Sequence, residues 1–91
     1  MLQTIRIIIQ GKVQGVFFRK TGKEIAEQYK LTGWIKNAEA GYVQAKVCGD
    51  EDAINKFVEW CRKGPERAVV QEVQVARTTP EEFKEFSIKR D

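Results

Sequence analysis

The sequence predicts an α+β fold in the order β-α-β-β-α-β plus a short terminal strand, with two helices on one face of an antiparallel sheet. Three observations carry this. Ile5, Ile7 and Ile9 recur at the period of a half-buried strand. Apolar residues recur at helical spacing in two later stretches, one starting at Phe18 and one running from Ile54 to Cys61. Between them Ala38 to Gly41 reads as a hairpin turn, so a single hairpin separates two helical crossovers. This is the split βαβ, ferredoxin-like sandwich, a plan that hosts many unrelated functions and so decides none.

Each element has its own signal. The first strand spans Thr4 to Gln10, and Gly11 to Gly15 is a glycine-bracketed loop. In the first helix Phe18, Gly22, Ile25 and Tyr29 share a face, and Gly22 weakens the helix by about 1 kcal/mol relative to alanine. Thr32-Gly33 ends that helix, and Trp34 to Asn37 forms the second strand. The third strand turns Val43, Ala45 and Val47 inward and closes at Gly49. Asp50 is a good N-cap, and Glu51 and Asp52 suit the positive end of the second helix. Ile54, Phe57, Val58 and Cys61 form its apolar stripe, and Gly64-Pro65 stops it. A strand from Val69 to Ala76 follows, with Val69, Val73 and Val75 on one face and Val70 on the other. Phe86 and Ile88 mark a short last strand after the turn at Pro80.

With 91 residues, a single domain over 1–91 is expected, since a second core would not fit. A content of 42% apolar and 32% charged residues marks a globular chain, and the apolar run Ile7 to Ile9 is too short for a membrane span or signal segment. A cytoplasmic monomer is the expectation. The net charge of +3 favours an anionic ligand, but acidic residues alternate with basic ones, unlike the concentrated patch of a nucleic-acid binder. Cys48 and Cys61 are too few for a zinc site, and the sequence leaves open whether they are free or oxidised. The absence of histidine removes Ser-His and Cys-His nucleophilic pairs and histidine-ligated metals.

The informative stretch is Gly11-Lys12-Val13-Gln14-Gly15-Val16-Phe17-Phe18-Arg19, between the first strand and the first helix. A loop curling there turns consecutive backbone N–H groups into one concavity beside the positive end of a helix. Its glycines permit the curl, and Arg19 can fork two hydrogen bonds onto phosphate oxygens. The parts make an anion cradle with no metal. Glycine-rich strand-to-helix loops with a basic residue are also common without a ligand, and the spacing matches neither the Walker A motif nor the dinucleotide fingerprint. Asn37, taken alone, reads more readily as a turn-adjacent asparagine than as a site residue.

The same stretch resembles the acylphosphatase signature G-x-V-Q-G-V-x-F-R at every fixed position. Gly33-Trp34-Ile35-Lys36-Asn37, then Gly41-Tyr42-Val43, Gly49, Ala26 and the closing Phe86-Ser87-Ile88 also fit, so the likeness covers almost the whole chain. Ile35 departs mildly, because the family more often has a smaller aliphatic there. The resemblance implies metal-independent hydrolysis of the carboxyl–phosphate bond of small acyl phosphates to carboxylate and inorganic phosphate. It implies that the loop, Gln14, Gly15, Val16, Phe17, Phe18 and Arg19, binds the phosphate, and that Arg19 and Asn37 are catalytic, with Asn37 orienting the water. No cofactor and no metal ligand are expected, and inorganic phosphate should act as product and competitive ligand. Phosphoryl transfer from a good leaving group needs positioning and charge stabilisation above all, which these residue types can supply.

Three rivals remain in view. Cys61-Arg62-Lys63-Gly64-Pro65-Glu66-Arg67 matches the C-x-x-G-x-x-R loop of cysteine-dependent phosphatases, but Cys61 falls near a helix C-terminus, where the dipole opposes a thiolate. An RNA-recognition module shares the element order, yet its third strand should show several exposed aromatics, and Tyr42 to Val47 offers one. A similar domain leads the carbamoyl-transfer maturation proteins; a free-standing domain is the expectation here.

Overall fold

The computed structural model describes residues 2–90. Strands β1 (Leu2–Lys12), β2 (Thr32–Asn37), β3 (Val43–Asp50), β4 (Val69–Arg77) and β5 (Phe86–Ile88) form one sheet in the order β4-β1-β3-β2-β5. Helices α1 (Phe18–Gln28) and α2 (Glu51–Lys63) pack on it, and a short 3₁₀ turn, Glu39–Gly41, closes the β2–β3 hairpin. The α+β, ferredoxin-like sandwich expected from the sequence is therefore present. The registers put Ile5, Ile7 and Ile9 opposite Val47, Ala45 and Val43, and all six are buried beneath the helices. Phe18 and Ala26 from α1 and Ile54, Phe57, Val58 and Cys61 from α2 fill the other half of the core.

The sheet is mixed and not antiparallel throughout. β1 pairs antiparallel with β3 and β4, and β3 with β2, but β5 lies parallel to β2 with Gly33 opposite Phe86 and Ile35 opposite Ile88. The chain path forces this. β4 finishes beside the start of β1, where the Thr78 N–H donates to the Thr4 carbonyl. The segment from 78 to 85 then crosses to the opposite edge without reversing the chain's height. It is pinned by the Glu81 N–H donating to Thr4 Oγ1 (3.1 Å), by an ion pair of Glu81 with Lys46, and by the Gly33 N–H donating to the Glu85 carbonyl. From that end β5 can only run the same way as β2. As a result β1, β2 and β5 all finish at one end of the sheet.

Three local expectations need correction. α1 ends at Gln28, not at Thr32-Gly33: Lys30 adopts φ 60°, and the Leu31 and Lys30 N–H groups donate back to the Ala26 and Glu27 carbonyls. This is the left-handed helix stop usually made by glycine, which lysine hides from a sequence reading. Gly33 instead lies inside β2 at φ 134°, where an added Cβ would sit 1.9 Å from the Lys46 carbonyl oxygen. In β4 it is Val70, with Val73, that packs on the core, while Val69 is exposed. The register slips there, Gln10 facing Glu72 but Gly11 facing Val70, so Gln71 is a bulge that reverses the alternation. Along α1 the buried stripe is Phe18, Gly22 and Ala26, with Ile25 and Tyr29 only partly buried beside it. A Cβ on Gly22 would lie 3.0 Å from Ile35 Cδ1, so the bulky Ile35 occupies the space that the glycine leaves.

Candidate active site

The end of the sheet where β1, β2 and β5 finish carries a cleft of about 260 Å³, lined by Val13, Gly15, Phe17, Phe18, Arg19, Lys20, Asn37, Ile88 and Arg90. Topology explains the assembly. The loop after β1 curls into α1, Asn37 is the last residue of β2, and the parallel course of β5 delivers Ile88 and Arg90 to the same place. Asn37 has the facing parity of Ile35 and Gly33, so it belongs to the sheet face that α1 covers, beyond the N-terminus of that helix.

The loop's backbone is bent for this. Gly15 has φ 75° and Phe17, the residue before the helix, φ 64° and ψ 24°. Thr21 is the first residue whose N–H reaches back into the helix, to the Phe17 carbonyl at 3.0 Å. The N–H groups of Phe18, Arg19 and Lys20 therefore open onto the cleft end of α1, and no side chain among the described residues caps them. The first turn has no acidic residue and holds two cations, Arg19 and Lys20. That charge order works against the helix dipole, which favours anions at an N-terminus. The arrangement is disfavoured until something negative arrives.

Gln14 has a role that its place in the motif did not suggest. Its side-chain NH₂ donates to the carbonyls of Tyr42 (2.8 Å) and Ala38 (3.0 Å), which flank the hairpin turn, while the Ala38 N–H donates to the same Tyr42 carbonyl. The loop that leads into α1 and Arg19 is thereby fastened to the residue after Asn37. Val16 does not line the cleft; it is buried in the core.

The family model for acylphosphatase matches residues 5–88 of this chain. The chain belongs to the acylphosphatase family. A protein of Coxiella burnetii named acylphosphatase is 39% identical over 85 residues, 93% of this chain and 90% of its own length. The crystal structure of acylphosphatase from Bacillus subtilis superposes with TM-score 0.93 at 37% identity, covering 99% of this chain and 100% of that one. Full-length HypF, in a phosphate- and nucleotide-bound form, also matches with TM-score 0.93 at 34% identity, over 99% of this chain and 12% of that one.

The structure brings Gly15, Phe17, Phe18, Arg19 and Asn37 together at the cleft, while Gln14 and Val16 act behind it. Sequence reasoning missed Ile88 and Arg90, because nothing in the pattern reveals that the last strand runs parallel to β2. Among the described residues no three His, Cys, Asp or Glu side chains come together in a way that could hold a metal ion. No helix among them is long and apolar enough to cross a membrane.

Cys61 is fully buried on the inner stripe of α2, near its C-terminal end, and both Cys48 and Cys61 are free thiols. Burial pushes the Cys61 thiol well above its ordinary range, and the neighbouring Arg62 charge offsets this only partly. A nucleophilic cysteine needs the opposite shift and needs access, so the cysteine-phosphatase pattern is a coincidence of sequence. Trp34 lies beneath Lys89 and Lys36, whose ammonium groups stand 4.6 and 5.4 Å from the ring centroid.

Proposed function

We propose that the cleft hydrolyses the carboxyl–phosphate bond of small acyl phosphates, with Arg19 and the N–H groups of the loop and first helical turn holding the phosphoryl group. The observation that carries this reading is the convergence of an uncapped, cation-bearing helix N-terminus and the Asn37 amide on one small cleft. The guanidinium of Arg19 forks onto two phosphate oxygens while the N–H groups meet the third, so the charge that spreads over those oxygens in flight meets fixed positive ends. The Asn37 side-chain oxygen accepts from a water and holds it in line with the bond to be broken.

The water oxygen bonds to phosphorus as the bond from phosphorus to the acyl oxygen breaks. Its electron pair leaves with the carboxylate, and both water protons end on inorganic phosphate. Acyl phosphate dianion and water thus become one carboxylate and one dihydrogen phosphate, so charge balances. Because the leaving carboxylate is a stable anion, no general acid is required, which fits a cleft lined, among the described residues, by no carboxylate and no histidine. Inorganic phosphate occupies the same cradle as product and competes with substrate. The positive charge is supplied by the chain, so the reading includes independence of metals and cofactors. Two free, buried thiols suit a reducing cytoplasm, and a domain that closes its own core suits a monomer.

The test is hydrolysis of benzoyl phosphate by the purified protein in excess EDTA. Turnover equal to that without chelator is expected. Loss of activity that returns with Mg²⁺ or Zn²⁺ contradicts the mechanism.

A further inference from the structure

We propose that the Phe17 ring is the contact for the acyl group, and that it makes this enzyme favour acyl phosphates with an aromatic or bulky apolar acyl part. The proposal rests on the functional reading above and extends it to substrate choice. Phe17 combines two features that a packing residue does not need. Its backbone is left-handed, φ 64° and ψ 24°, a conformation that glycine or asparagine takes far more readily than a bulky side chain. Its side chain is also 69% exposed, whereas its neighbours Val16 and Phe18 turn into the core. The ring therefore gains little from folding, while its backbone carries strain.

The backbone bend itself has a use, since it opens the N–H groups at the start of α1. Any residue could supply that bend, and glycine would do so without strain. What Phe17 adds, beside the partly buried Ile88, is a largely exposed apolar face lining the cleft. Leu2, Val69 and Val75 are the other large apolar side chains exposed among the described residues, and none of them lines the cleft. The geometry of the reaction turns the acyl group out of the cradle. With the phosphoryl oxygens in the cradle and the water held at Asn37, the bond to the acyl oxygen must point away from Asn37. An exposed aromatic there offers a face for stacking or apolar contact as the acyl group departs.

The experiment compares kcat/KM for benzoyl phosphate and acetyl phosphate in the wild-type protein, Phe17→Asn and Phe17→Tyr. Asparagine tolerates the left-handed backbone, so that variant folds and keeps every N–H of the cradle. The two substrates share the phosphoryl group, so any change in the cradle cancels in their ratio. The benzoyl-to-acetyl ratio should fall roughly three- to tenfold in Phe17→Asn and recover in Phe17→Tyr. An unchanged ratio, or a fall that tyrosine fails to restore, overturns the role of Phe17 while leaving the functional reading intact. Hydrolysis of neither substrate by the wild-type protein overturns the functional reading itself.

Discussion

Replacing Gln14 with leucine removes both donors that join the phosphate cradle to the β2–β3 hairpin while keeping a side chain of similar size. Two hydrogen bonds disappear, at 2.8 and 3.0 Å, each part-buried and each worth about 1 kcal/mol net. The Tyr42 carbonyl keeps its bond from the Ala38 N–H, so only the Ala38 carbonyl loses its partner there. The loss of stability should be about 2 kcal/mol, which in urea moves the midpoint down by roughly 1–2 M at the slopes usual for small domains. Fluorescence of Trp34 and Trp60 can follow the transition. Activity should suffer more than stability suggests, because the lost bonds join the loop before α1 to the residue next to Asn37, and the proposed mechanism needs Arg19 and Asn37 at a fixed separation. A displacement near 1 Å can cost on the order of a hundredfold, so kcat should fall at least about tenfold under conditions where the variant is fully folded. Gln14→Glu should be worse than leucine, since a carboxylate would face two carbonyl oxygens. Turnover of folded Gln14→Leu within about twofold of wild type would show that the joint is merely structural and would refute the positioning argument.

Two further substitutions test the fold and the thiol. Gly33→Ala should destabilise by about 3 kcal/mol or more in urea unfolding, because its Cβ would meet the Lys46 carbonyl oxygen at 1.9 Å on a backbone at φ 134°; a cost below about 1 kcal/mol would show that β2 shifts freely. Cys61→Ala should lower stability by about 1–2 kcal/mol at neutral pH through lost packing, with turnover of the folded protein unchanged. Since burial raises the Cys61 thiol, its unfolded form loses its proton first, and the native state loses stability as pH rises above about 8.5. The alkaline decline in unfolding free energy should therefore be shallower in Cys61→Ala than in wild type, and parallel curves would contradict the burial argument.

The elements of this fold were legible because each has a local cause. Alternating isoleucines made β1, the stripe from Ile54 to Cys61 made α2, and Asp50 and Gly64 bound that helix as N-cap and C-cap. What stayed hidden came from contacts distant in sequence or from residues standing where glycine is usual. Lys30 adopts the helix-stopping conformation without glycine's signature, and the bulge at Gln71 exists only in register with β1. The direction of β5 depends on a crossing pinned through Thr4, which no period reveals, and with it went Ile88 and Arg90. Arg19 and Asn37 were legible as a pair through the family resemblance; Asn37 alone carries no local signal beyond a strand end. Gln14 was visible as a motif residue, but its side-chain role needed the hairpin in place.

On the proposed mechanism Arg19 and Asn37 divide the labour: Arg19 binds the phosphoryl group, and Asn37 acts on the water. Calorimetric titration of inorganic phosphate into Arg19→Ala and Asn37→Ala, with steady-state hydrolysis of benzoyl phosphate measured alongside, tests it most directly. Arg19→Ala should lose phosphate affinity as well as turnover. Asn37→Ala should bind phosphate nearly as wild type does while turnover falls about a hundredfold, as for a lost oxyanion donor of roughly 3 kcal/mol. Phosphate binding by Asn37→Ala that weakens in proportion to its activity would make Asn37 a binding residue and contradict the account.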